Sequence, residues 1–290
     1  MHAQPIFRRL AQQIAPGSQL VRAWTLTGGA SAQMTALELQ HADGAVQRVV
    51  VRQPSTLHAN STADEFRLLN ILRGAGLPTP APILLDSLPC LVMEFVEGQP
   101  TFAPANLSSF VRQAAAALAA IHRVDPADLT FLPRHDVVPK LAERPEAVEI
   151  ARLRAALREA WPRYNPNRVA LTHGDFWPGN LLWREETLVA VVDWEDAALG
   201  DPLVDVAITR LDMRLIFGED AMHGFTEHYR AASGSSFDTL PFWDVYAALR
   251  AAPNLADWAA VFPALGRSDL TERRLREAHE HFTAQALERG

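Results

Sequence analysis

Leu171-Thr172-His173-Gly174-Asp175-Phe176-Trp177-Pro178-Gly179-Asn180-Leu181-Leu182-Trp183, a polar turn at Arg184-Glu185-Glu186, then Leu188-Val189-Ala190-Val191-Val192-Asp193-Trp194-Glu195, is the most informative stretch of the chain. Its apolar runs are short and end at polar residues. Folding 181–183 back on 188–192 makes a hairpin. That pairing returns Asp193 to the side of Asn180 and of the loop holding Asp175, so two carboxylates and an amide face one small volume.

Upstream of this insert the pattern is β-rich. Residues 21–26 and 33–40 read as strands around a small-residue turn, Gly28-Gly29-Ala30-Ser31, and Ala42-Asp43-Gly44 turns the chain into a third strand, 46–52. A helix with Phe66, Leu69 and Leu72 at helical spacing then runs from Ser61 to Gly74-Ala75-Gly76. Two short strands, 83–86 and 91–95, precede the breaker Glu97-Gly98-Gln99-Pro100. Beyond the breaker, residues 107–122, 146–161, 203–216, 242–251 and 270–287 carry helical apolar spacing, interrupted only by the insert. The expected fold class is therefore α+β in two lobes, a β-rich one over 1–97 and a mostly helical one over 98–290.

Composition narrows the function. The net charge of −7 and the absence of any long basic run argue against nucleic acid or an anionic membrane surface as partners. Cys90 is the only cysteine, which excludes an intrachain disulfide and a cysteine-held zinc. No stretch has the apolar length of a membrane span, and residues 1–16 lack the apolar core of a secretory signal, so the expected setting is cytoplasmic. Of 27 basic residues only Lys140 is a lysine.

Phosphoryl transfer from a magnesium nucleotide needs a carboxylate to orient or deprotonate the attacking hydroxyl, together with hard oxygen ligands for the cation. The insert supplies both. Asp and Asn five residues apart in a loop, followed one hairpin later by Asp, resemble the catalytic loop and metal-binding Asp of protein kinases. With Gly174 where protein kinases carry arginine, the chain is more similar to the aminoglycoside phosphotransferase and choline kinase branch of that superfamily.

The resemblance implies a protein-kinase-like fold and an ATP-dependent transfer, with GTP a possible donor, of the γ-phosphoryl group to a hydroxyl of a small molecule. By it, Asp175 and His173 are the catalytic pair, Asp175 being the base, and Asn180 and Asp193 are the Mg²⁺ ligands. Gly200-Asp201-Pro202 and Asp205 begin a helix that braces the loop. Arg52, late in the third strand, contacts the phosphates and pairs with Glu65, with Arg48 on the same strand face in reserve. Glu65 also fits a capping box spanning Thr62 to Glu65, with the ion pair the preferred reading. Gly28, Gly29 and Ser31 approach the phosphates, and Glu94 and Val96 lie in the segment that receives adenine.

The acceptor is less determined. From residue 201 onward fourteen acidic residues face nine basic ones, which suits a cationic acceptor such as an aminoglycoside or amino alcohol, although solvated helix faces account for the same excess. Trp177 in the loop also resembles fructosamine kinases, and choline, homoserine and macrolide kinases share the scaffold. From another class, a non-catalytic nucleotide-binding regulator on the kinase fold is the main rival; a metal-dependent hydrolase lacks the ligand spacing.

Overall fold

The computed structural model describes residues 4–26, 34–53, 61–85, 90–137 and 147–289. The chain divides into two compact units, Met1–Gly98 with Val189–Asp196, and Gln99–Leu188 with Ala197–Gly290.

The first unit is built on a five-stranded antiparallel sheet, β1 (Gln19–Thr25), β2 (Met34–Gln40), β3 (Val46–Arg52), β4 (Pro82–Leu85) and β5 (Leu91–Glu94), in the order β1-β2-β3-β5-β4. Its central strand β3 is rich in β-branched Val, which favours the pleated surface. Residues directly opposite share a face. Leu37 pairs with Val49, and Val51 with Val92, on the face covered by α1 (Gln4–Ile14), whose Phe7, Leu10 and Ala11 complete the core. Val50 faces Ala36 and Met93, and Arg52 faces Met34 and Leu91, so the opposite face carries Arg48, Val50 and Arg52.

The helix α2 (Thr62–Gly74) follows β3 in sequence. Its capping box uses Ser61 and Asp64, not Thr62 and Glu65: the Asp64 amide donates to Ser61 Oγ at 3.1 Å and the Ser61 amide to Asp64 Oδ2 at 3.3 Å. Moving the cap one residue upstream turns Glu65 away from the helix end and into the interior, where it is 3% exposed.

The second unit is mainly helical: α3 (Leu107–Ile121), α4 (Val148–Ala160), α5 (Leu203–Phe217), α6 (Glu219–Ser233), α7 (Leu240–Ala251), α8 (Leu255–Val261) and α9 (Glu272–Arg289). The α+β class read from the sequence is the observed one. Strand β6 (Ala170–Thr172) pairs antiparallel with β9 (Ala198–Gly200), while β7 (Leu181–Arg184) and β8 (Thr187–Val191) form the expected two-stranded hairpin. The buried residues Ala221, Met222, Phe225 and Tyr229 keep helical spacing along α6. Gly224 in its middle does not break the helix, and it faces Val111 of α3. Buried Arg210 of α5 forms a two-pronged ion pair with buried Asp244 of α7, Nε to Oδ1 and Nη2 to Oδ2 both at 3.0 Å, and so fixes these two helices against each other. Among the described residues no helix is long and apolar enough to cross a membrane.

Leu37 is completely buried between β3 and α1. Leu37→Ala is expected to lower stability by about 2–5 kcal/mol, read as a lower urea midpoint with an unchanged denaturant slope.

Candidate active site

The loop His173–Asn180 leaves β6 and is held from behind by α5. The amides of His173 and Gly174 donate to Asp205 at 2.6 Å (Oδ2) and 2.9 Å (Oδ1). Gly174 has φ 84°, a backbone conformation that glycine adopts without a Cβ penalty and that turns both amides to one carboxylate. One turn further along the helix, Thr209 Oγ1 donates to the Phe176 carbonyl at 2.7 Å. Asp205, Thr209 and Asp212 recur at the spacing of one helix face.

Asp205 has no exposed surface, and it also receives His122 Nε2 at 3.1 Å, while the Tyr229 hydroxyl lies 2.6 Å from His122 Nδ1. A proton on Nε2 lets His122 donate to the carboxylate. Burial by itself would raise the Asp205 carboxyl; the His122 hydrogen bond and charge, with the charge and amide of His173, outweigh it and hold the group below the usual carboxylate range. Asp201 closes the helix start in the same way, accepting from the Leu203 amide at 2.9 Å, the Tyr164 hydroxyl at 2.9 Å and the Asn167 amide at 3.0 Å.

At the front of the loop Asp175 is about one-third exposed. Asn180 Nδ2 donates to its carbonyl at 2.9 Å and to Oδ2 at 3.2 Å, and Arg250 Nη2, from the last turn of α7, donates to Oδ1 at 2.9 Å. His173 is fully buried, and its Nδ1 accepts the Asp175 amide at 3.3 Å. Burial, and after it the charge of Asp175, push the Asp212 carboxyl well above its ordinary range, with Arg250 opposing.

In the first unit Arg52 is 2% exposed and bridges two carboxylates: Nη1 donates to Glu65 Oε2 at 2.6 Å and Nη2 to Glu195 Oε2. Its Nε is buried with no hydrogen-bond partner among the described residues. Burial pushes the Glu65 carboxyl up to about 7 against the pull of Arg52, and the charges of Asp193 and Glu195 push the same way. Asp193 lies close enough for its charge to act on Glu65, and its backbone sits in the left-handed region at φ 67°, a conformation in which non-glycine residues concentrate at functional sites. Arg48 is 44% exposed and paired with Glu38 and Glu97 at 2.9 and 2.7 Å, a solvated edge rather than a second buried cation.

Gly28, Gly29 and Ser31 lie outside the described residues, as does Lys140. Glu94 ends β5 and its side chain, half-exposed, takes the Ala81 amide at 3.2 Å; Val96 follows, half-buried. Trp243 and Phe262 are core residues, 1% and 6% exposed. Two residues of the site went unread in the sequence. Glu195 stands two positions after Asp193, and only its alternation with the buried Trp194 marks it. Arg250 reads from the sequence as a basic residue in a helix's last turn, where it would merely complement the helix dipole.

Residues 25–251 match the family model described as the phosphotransferase enzyme family. The chain belongs to this family. Among curated relatives, acyl-CoA dehydrogenase family member 10 of Mus musculus is 30% identical over 210 residues, 62% of this chain and 20% of that protein. The probable acyl-CoA dehydrogenase IBR3 of Arabidopsis thaliana is 26% identical over 185 residues, 51% of this chain and 22% of that one. The chain thus spans about a fifth of the length of the curated relatives it matches. Among solved structures, choline kinase LicA from Streptococcus pneumoniae superposes with a TM-score of 0.66 at 16% identity over 98% of this chain and 100% of that one. A spectinomycin phosphotransferase in complex with ADP and spectinomycin superposes with a TM-score of 0.68 at 14% identity over 99% and 98%. The fold of this chain is accordingly the two-lobed, protein-kinase-like one.

The Asp205 brace sets a pH dependence. A carboxyl whose folded pKa lies below its unfolded value stabilises the fold above about pH 3.9 and loses that contribution as pH falls through the folded pKa. Asp205→Ala should therefore cost about 3–5 kcal/mol at pH 7, and urea titrations should show its gap to wild type narrowing under acid.

Proposed function

We propose that this family member is an ATP-dependent kinase of a small molecule, with Asp175 as the base toward the acceptor hydroxyl. The observation that carries the reading is the state of Asp175. Its carboxylate sits at the accessible front of a loop whose backbone is pinned by buried Asp205 and Thr209, the fixed placement a catalytic base needs. His173, buried behind it, positions the loop rather than handling protons. The first unit would hold the nucleotide, with Arg52 the phosphate cation kept in place by Glu65 and Glu195, and its Nε, which has no partner among the described residues, is one donor to spare. Glu94 and Val96 would supply backbone groups to the base, and Gly28, Gly29 and Ser31 amides to the phosphates. The second unit would hold the acceptor. The solved relatives were captured with ADP, AMP and GDP, which supports a nucleotide donor without choosing between ATP and GTP.

A nucleotide-borne Mg²⁺ needs only one or two protein ligands beside the phosphates. Asn180 and Asp193 suit it chemically. Asn180 commits its amide nitrogen to Asp175, which leaves the hard amide oxygen to the cation, and Asp193 offers a carboxylate. The ion would neutralise phosphate charge. In the transfer, Asp175 takes the hydroxyl proton as the hydroxyl oxygen bonds to the γ-phosphorus and the bond to the β–γ bridging oxygen breaks, releasing ADP.

For the acceptor, the names of the curated relatives favour one addition to the aminoglycoside, amino alcohol, ketosamine, homoserine and macrolide classes. Because proteins named for acyl-CoA dehydrogenases carry a segment similar to this chain, hydroxyl-bearing acyl thioesters belong in the panel. The test is Mg²⁺-dependent ADP release across these classes, with Asp175→Asn as the blank. Release with one class, absent in the blank, is the expected result; equal release in the blank would remove Asp175 as the base.

Asp175→Asn should lower turnover about 10²- to 10⁴-fold with nucleotide affinity near wild type, and parallel loss of both would point to a damaged fold. Asp193→Ala should weaken Mg·ATP binding itself in a calorimetric titration.

A further inference from the structure

The charge beside the base is the feature that the family resemblance leaves unexplained. Arg250 and Asp175 are 36% and 34% exposed at their side chains, so both are open to whatever brings a hydroxyl to Asp175. Arg250 Nη2 donates to Asp175 Oδ1, the oxygen that Asn180 does not take. Its helix is locked to the loop-bracing helix by the Arg210–Asp244 pair, so the backbone that carries Arg250 is anchored beside the loop. The other acid nearby, Asp212, is held toward its neutral form, which leaves Asp175 as the carboxylate that balances Arg250.

Such a pair has two consequences. An acceptor whose hydroxyl reaches Asp175 must also meet the guanidinium, and a cationic group there is repelled. An ion pair open to solvent by about a third is also weak and cheaply exchanged, so an anion on the acceptor can take Arg250 and release the Oδ1 atom that a base needs. We infer that the acceptor carries a carboxylate or phosphate close to its reacting hydroxyl, and that Arg250 binds this anion in place of Asp175. This inference rests on the kinase reading above, and it reverses the expectation of a cationic acceptor drawn from the acidic excess of the C-terminal half. That excess is spread over the helices, whereas Arg250 sits at the reacting atom.

The test is calorimetric titration of four probes, glycerate, glycerol 3-phosphate, glycerol and ethanolamine, into the full chain with and without a non-hydrolysable Mg·ATP analogue. One or both anionic probes should bind more tightly than glycerol and ethanolamine by roughly tenfold or more, and the preferred one tells carboxylate from phosphate. Arg250→Met should abolish that preference, and Arg250→Lys should retain part of it, each variant first shown to melt as wild type does. Asp175→Asn removes the competing carboxylate and should bind the anion more tightly, a gain that a merely structural ion pair would not give. Anions binding no better than glycerol, or equally well to Arg250→Met, would overturn the inference. Failure to bind the nucleotide analogue would instead count against the kinase reading, because the probe titrations without nucleotide still report on Arg250.

Discussion

A carboxylate with no access to water has to find its hydrogen-bond donors inside the protein or lose its charge. Asp205 finds three: the amides of His173 and Gly174 and the imidazole of His122. Two of those donors are the backbone of the loop that carries Asp175. Satisfying the buried charge and placing the base are therefore one act. His122 comes from the end of α3 and Tyr229, its own partner, from α6, so three helices are tied to the loop through a single oxygen pair.

The first unit solves an opposite problem, a buried cation. Arg52 spends its two terminal nitrogens on Glu65 and Glu195, which arrive from α2 and from the segment after β8. A lysine ammonium is a point charge, whereas the planar guanidinium fork can address two carboxylates along separate directions. Burial, with the charges of Asp193 and Glu195 adding to it, pushes the Glu65 carboxyl up to about 7 in spite of Arg52.

How much of this was legible in the sequence depended on whether a residue's role is local. The bounds of β3 and the hairpin after Asn180 follow from β-branched runs and a polar turn, and both are seen. The insert's polar residues at the ends of apolar runs marked Asp175, Asn180 and Asp193. The capping box was read one residue late, because Ser61-Thr62 and Asp64-Glu65 offer two registers and only packing chooses. The helices α1, α6 and α8 were not expected. In α6, Gly224 and Thr226 break the apolar stripe, yet the threonine stays inside the helix by bonding back to the Met222 carbonyl. Glu195 and Arg250 were invisible for a different reason: each acquires its meaning from a partner 143 or 75 residues away.

The segment Val189–Asp196 belongs to the first unit although the chain has by then traversed ninety residues of the second. Its Val191 amide bonds to the Pro78 carbonyl at 2.7 Å and its Glu195 completes the Arg52 pair. On the ribosome, then, the first unit is not finished when Gly98 is made. At about 5–20 residues per second, its sheet waits on the order of 5–20 s for the segment that neutralises Arg52. Until then a guanidinium destined for burial has only Glu65 beside it, and neither unit can be assembled as an uninterrupted stretch of chain.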